Sequence, residues 1–171
     1  TTGETGPHLY LAHDGWQSTH GLIATRSLHL SPDGRKLTGE EALTALSPDD
    51  RARFEQIMTR SALEGVRFAV RFHLHPDVDA TLDMGGTAVS LALKSGEIWV
   101  FRHRGTARLS IDPSVYLEKG RLKPRATKQI VLSGQARDFE TVLGWTLAKA
   151  QDTPLAIRDL DRDDPPVPLL T

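Results

Sequence analysis

In the run Arg71-Phe72-His73-Leu74-His75-Pro76-Asp77-Val78, two imidazoles stand two residues apart among apolar even positions. On an extended chain, residues two apart share a face. Phe68, Val70, Phe72 and Leu74 then point to a core, while Ala69, Arg71, His73 and His75 point the other way, with Pro76 ending the strand. Two imidazoles so placed could share a zinc or iron if a third protein ligand came from elsewhere. They could equally face a ligand or a neighbouring domain, or simply hydrogen-bond on a solvated strand. His73, His75, Asp79 and Gly86 loosely echo a cupin metal motif. The echo fails, because Asp79 stands where Glu is normal and no suitable downstream histidine follows: His103, in FRHRGTA, is the last in the chain.

Two basic clusters could meet carboxylate or sulfate groups. Arg102, Arg104 and Arg108 surround His103, and Lys119, Arg121, Lys123, Arg125 and Lys128 crowd a stretch without an acid. A charged, solvated hairpin face is the plainer alternative. His13 and Asp14 sit beside Trp16 in HDGW, yet neighbours on a strand point to opposite faces, so a stabilised turn competes with an acid–base pair. Tyr10 and Tyr116 could be bases beside a cation or core residues with one bonded hydroxyl. No G-x-S-x-G elbow and no phosphate-cradling glycine loop occurs.

The elements that must carry these residues read mostly in period 2. HLYLAH, GLIATRSLHL, VRFAVRFHLH, TAVSLALK, EIWVFRH, ARLSI, SVYLE, KQIVLS and TVLGWTLAKA are of strand length and rich in β-branched and aromatic residues. HDGW, SPDGRK, PDVDATLDMGG, KSG, RG, DPS and SGQARD supply turn chemistry between them. The spacing predicts an all-β, antiparallel β-sandwich. One segment differs: Ser47 can cap a short helix on a connecting loop, with Asp49 and Asp50 in its first turn, Phe54, Ile57 and Met58 on one face, and Gly65 as a stop.

The 171 residues suit one domain with one sizeable core. Residues 1–151 are expected to form the sandwich, and the Pro- and Asp-rich residues 152–171 a tail that wraps the surface or stays poorly ordered. The 21 Lys plus Arg nearly balance 22 Asp plus Glu, so nucleic acid and membrane are not expected as partners. Without cysteine, disulfides and thiolate chemistry are excluded. No apolar run reaches membrane-spanning length, and the start TTGETG, lacking Met, suggests a processed product or an excised piece. Cytoplasm and periplasm both stay open.

Taken together, LAHDGW, GLIATRSLHLSPDGRKLTGEEAL, RFAVRFHLHPDV, GEIWVFRHRG, IDPSVYLEKGRLKPRATKQIVL and GWTLAKA resemble the C-terminal β-sandwich region of bacterial heparinase II/III-like proteins. The likeness covers about 150 residues, in order. It implies stacked antiparallel sheets (a supersandwich) that follow an N-terminal (α/α) toroid, in polysaccharide lyases that cleave uronic-acid-containing chains by β-elimination. The resemblance places the reacting Tyr and His in the toroid, and a structural zinc of some members in an early β segment; neither part is in this chain. Trp16 and Ala24 stand where the family pattern has Tyr and His, which takes acid–base work away from that face. The chain is therefore expected to be catalytically silent alone, with no cofactor or metal of its own. Arg71, His73, His75, Arg102, His103, Arg104, Lys119, Arg121, Lys123 and Arg125 are expected to meet acidic polysaccharide, and the toroid is the expected partner. The alternative is an autonomous carbohydrate-binding or interaction module.

Overall fold

The computed structural model describes residues 2–3, 6–120 and 122–150. The expectations for Arg121 and for residues 152–171 lie outside the described residues.

Eleven strands and two helices follow in chain order: β1 (Thr2–Gly3), β2 (Gly6–Trp16), α1 (Gln17–His20), β3 (Leu22–Leu30), β4 (Lys36–Thr44), α2 (Pro48–Arg60), β5 (Val66–His73), β6 (Asp79–Asp83), β7 (Ala88–Ala92), β8 (Ile98–Arg104), β9 (Arg108–Tyr116), β10 (Arg125–Ala136) and β11 (Glu140–Lys149). They form two antiparallel sheets, an eight-stranded one in the order β1-β2-β3-β4-β11-β8-β7-β6 and a three-stranded one in the order β5-β10-β9. The sheets face each other, so the all-β sandwich expected from the sequence is the fold.

The core between them is built from alternate residues of the paired strands. Val89, Leu91, Phe101, Leu143 and Trp145 of the large sheet meet Leu109, Ile130 and Leu132 of the small one. Phe72 of β5 stands 4.9 Å from the Trp145 ring and 5.0 Å from Phe101. Such aromatic contacts add about 0.5–1.5 kcal/mol each beyond area burial. Trp145 can lie flat against the large sheet because its cross-strand partner is Gly39. A Cβ there would fall 2.1 Å from the indole.

The helix α2 forms as its capping chemistry dictates. Ser47 Oγ accepts from the Asp50 amide and the Asp50 carboxylate accepts from the Ser47 amide, closing a capping box. Phe54 and Met58 seat the helix on Leu22, Ala45 and Ala136 at one end of the sandwich, a second small core.

Several boundaries differ from the sequence reading. HDGW is not a turn: β2 runs through it with a bulge between His13 and Trp16, and the reversal falls on the single turn of α1. KLTGEEALT is a strand held between β3 and β11, and DATLD is a strand paired with β7. ARLSI and SVYLE are one strand through Pro113, which β9 tolerates because it is an edge.

The sheets are unequal in width. Phe68, Val70 and Phe72 of β5 pack on the core over β4 and β11, and beyond them no described strand faces β2 or the Leu22–Ala24 part of β3.

Gly39→Ala is expected to destabilise the fold by about 3 kcal/mol, since a rigid buried indole cannot yield to the added methyl. Denaturant unfolding monitored by tryptophan fluorescence measures it; a loss below about 1 kcal/mol would show that the indole has room to shift.

Candidate functional site

The outer face of the small sheet carries the histidine pair. β5 alternates as expected: Phe68, Val70 and Phe72 turn inward and Arg67, Ala69, Arg71 and His73 outward. The strand ends at His73, and His75 follows on the connection to β6 with the same outward exposure. His73 Nδ1 shares a hydrogen bond of 2.7 Å with Ser114 Oγ. His75 Nδ1 accepts from the Asp77 amide at 3.2 Å, and its ring stands edge-on to Tyr116 at 4.9 Å. Each imidazole thus has a local structural partner. Among the described residues, no three His, Asp or Glu side chains converge as a metal-binding set.

Around these rings the face is charged. Arg71 lies 3.9 Å from Asp112. Asp77 is the hub of the far end: Arg125 donates to its Oδ1 and Lys94 sits on its Oδ2, both at 3.0 Å. Those two cations hold the Asp77 carboxyl below its ordinary value, Lys94 more strongly than Arg125. Arg125 also reaches Glu118 at 4.0 Å. Lys119 and Lys123 stand exposed on the β9–β10 connection next to this end. Sequence reasoning passed over Asp77 and Lys94, because the contact joins residues far apart in the chain.

The second basic cluster does not stay together. Arg102 and Arg104 point to the outer face of the large sheet, on the other side of the sandwich, and the Arg104 guanidinium packs over Gly144. His103 alternates with them and faces inward opposite Trp145, where its Nδ1 is buried without a hydrogen-bond partner among the described residues. Arg108 begins β9 and is exposed on the outer face of the small sheet, opposite Ser133. Of the residues singled out for acidic polysaccharide, Arg71, His73, His75 and Arg125 share one face, with Lys119 and Lys123 exposed on the connection that joins its strands; Arg102, His103 and Arg104 lie elsewhere.

A second feature had no forecast. Between the free edge of β5 and the unfaced inner side of β2, β3 and β4 runs a groove of about 500 Å³. Its walls include Leu11, Leu22, Ala24, Leu43, Phe68 and Val70. At its floor Arg26 Nε donates to Glu41 Oε1 at 2.7 Å, and Trp145 Nε1 donates to the same oxygen at 3.0 Å. Trp16 and His13 stand at its mouth, their rings 4.6 Å apart and Trp16 47% exposed. Exposed apolar side chains therefore stand on the β2 side, at Leu9, Leu11 and Trp16, and also at the far end of the small sheet, at Val115, Leu117 and Leu122.

No helix of the described residues is long and apolar enough to cross a membrane.

Comparison with known proteins gives three findings. The family model described as "Heparinase II/III-like, C-terminal" matches residues 1–146. The chain is 34% identical over 151 residues to "FtsZ-localized protein C" of Caulobacter vibrioides, covering 85% of this chain and 24% of that protein. The fold is similar to the crystal structure of heparan sulfate lyase HepC from Pedobacter heparinus, with a TM-score of 0.64 at 10% identity over 87% of this chain and 20% of that one. A mutant of HepC gives 0.65 at 11% identity, over 90% and 22%. The chain thus spans about a quarter or less of the length of these relatives.

Asp77→Asn should lower stability at neutral pH and change it little in acid. A carboxyl whose folded pKa lies below the ordinary 3.8 stabilises the fold above that value, and the contribution fades as pH falls through the folded value. Denaturation of both proteins from pH 7 to pH 2 tests this. A wild-type advantage that persists unchanged at the acid end would remove Asp77 as the hub.

Proposed function

This chain belongs to the heparinase II/III-like C-terminal family, and from that premise we propose that it is the non-catalytic β-sandwich of a larger protein, where it offers an acidic polysaccharide a cationic contact surface. The observation that carries the reading is the convergence of Arg71, His73, His75 and Arg125 on one face, beside exposed Lys119 and Lys123. Cations outnumber carboxylates there, although Asp77, Asp112 and Glu118 hold some of them in place. Guanidinium and ammonium groups so fixed suit sulfate and carboxylate groups spaced along a glycan. Long-range attraction by net charge is weak in a chain with formal net charge −1, so contact would be local and salt-sensitive.

In this reading an N-terminal (α/α) toroid of the parent supplies the base and acid for β-elimination at a uronate. The sandwich borders the cleft. His73 and His75 act as contact groups, and their bonds to Ser114 and the Asp77 amide hold them for that purpose.

A second reading, an interaction module for a protein partner, is favoured by one finding. The 34% identical relative carries a name that refers to FtsZ localisation, not to a glycan.

Two measurements on the 171-residue chain separate these readings. Incubated with heparin, heparan sulfate and other uronic-acid glycans, it should produce no unsaturated uronate absorbance. On immobilised heparin, Lys119→Glu/Lys123→Glu should weaken retention by at least about fourfold in affinity, since each exposed charge is worth about 0.2–1 kcal/mol, reversal roughly doubles that, and two residues are changed. Unaided depolymerisation would sink the non-catalytic reading. Absence of salt-sensitive retention by the wild type, or retention unchanged in the double variant, would sink the glycan surface and leave the protein-interaction reading.

A further inference from the structure

We propose that the free edge of β5 and the groove beside it form a docking site for an extended polypeptide strand, apolar at alternate positions and acidic at those between. The site is independent of the glycan reading.

The backbone of β5 points to strand addition. Leu74 donates its amide to Lys128 O at 3.0 Å, and Thr127 Oγ1 donates to Leu74 O at 2.8 Å, so the peptide groups of Leu74 face β10. In an antiparallel pair the groups alternate along the strand. The N–H and C=O groups of Arg67, Ala69, Arg71 and His73 are therefore turned to the open edge, where no described strand meets them. β5 is eight residues long, regular in its alternation, and free of Pro or a bulge. An edge of that kind is a ready template for another strand.

The large sheet continues under the vacant position. A strand added beside β5 at about 4.8 Å would lie over β3 and β2, and its inward side chains would meet Leu11, Ala24 and Leu43. These are groove walls with no facing strand among the described residues. Its outward side chains would stand beside Arg67 and Arg71 as cross-strand neighbours. Glu41, the only carboxylate in the groove wall among the described residues, is engaged by Arg26 and Trp145. Arg67 is 84% exposed and touches Glu64 only at 3.9 Å. Charge complementarity thus favours Asp or Glu at the outward positions and opposes Lys or Arg. An acidic glycan lacks the alternating apolar face and the peptide groups needed to complete the ladder.

The test uses the 171-residue chain and two blocked octapeptides, one alternating Val and Glu, the other Val and Lys. The Val/Glu peptide should bind saturably and slow amide hydrogen exchange at Ala69 and Arg71, while the Val/Lys peptide should bind more weakly. Ala69→Pro, which removes an outward amide without touching the β10 ladder, should abolish binding of the Val/Glu peptide. Arg67→Glu, at an exposed site that folding does not depend on, should weaken the Val/Glu peptide and strengthen the Val/Lys peptide, each by about threefold. The proposal is overturned if the Val/Glu peptide does not bind, if it binds without slowing exchange at Ala69 and Arg71, or if Arg67→Glu leaves the preference between peptides unchanged. A heparin oligosaccharide that protects the same two amides would also overturn it.

Discussion

One carboxylate oxygen ties the dry part of the sandwich to its open part. Glu41 Oε1 accepts both the Arg26 guanidinium and the Trp145 indole N–H, and the Arg26 guanidinium in turn lies 5.7 Å from the centre of the Phe72 ring. Trp145 needs a buried acceptor for its N–H, because an unpaired polar group in a core costs about 1–3 kcal/mol. Glu41 can be half-buried only with a cation beside it, and Arg26 reaches it from the neighbouring strand. The three side chains therefore lock β3, β4 and β11 to one another. They also mark a boundary: Phe72, Phe101 and Trp145 close one side, and beyond Arg26 the large sheet goes on with no facing strand among the described residues.

That boundary explains why the two sheets can differ so much in width without the wider one collapsing. The inner side of β2 and β3 is apolar enough to line a groove, yet Arg26 and Glu41 at its floor place an ion pair there. A fully apolar overhang of this size would invite indiscriminate association. The molecule instead has a groove with one charged anchor and a free strand edge, chemistry that selects for shape and sign.

What was legible in the sequence was what local periodicity controls. VRFAVRFH places its side chains as its alternation dictates, and SPDDRARFEQIM caps and folds as its first four residues require. What was not legible depended on partners distant in the chain. KLTGEEALT carries a glycine and two adjacent glutamates, a poor strand by propensity. It is a strand because Gly39 must lie under Trp145 and Glu41 must meet Arg26. DATLD looked like loop chemistry and pairs with β7. The basic run around His103 looked like one patch because its residues are near in sequence. Alternation on β8 sends Arg102 and Arg104 away from His103, as the two-residue period of any strand requires. The turn after Arg104 then carries Arg108 to the other sheet, and only tertiary structure reveals that.

The relatives bear on how function is distributed over this scaffold. A protein 34% identical to this chain and lyase structures only 10–11% identical share its fold, so the sandwich frame does not by itself determine what is bound. Binding must reside on surfaces that the frame leaves free. This chain has two, chemically unlike and on different sides of β5. The outward face is polar and held by ion pairs around Asp77, whereas the edge and groove offer peptide groups and apolar walls. A polyanion would use the first through charge, and a polypeptide would use the second through backbone hydrogen bonds, the two overlapping at Arg71. Arg71 is the residue they share, its side chain on the outer face and its peptide group on the open edge.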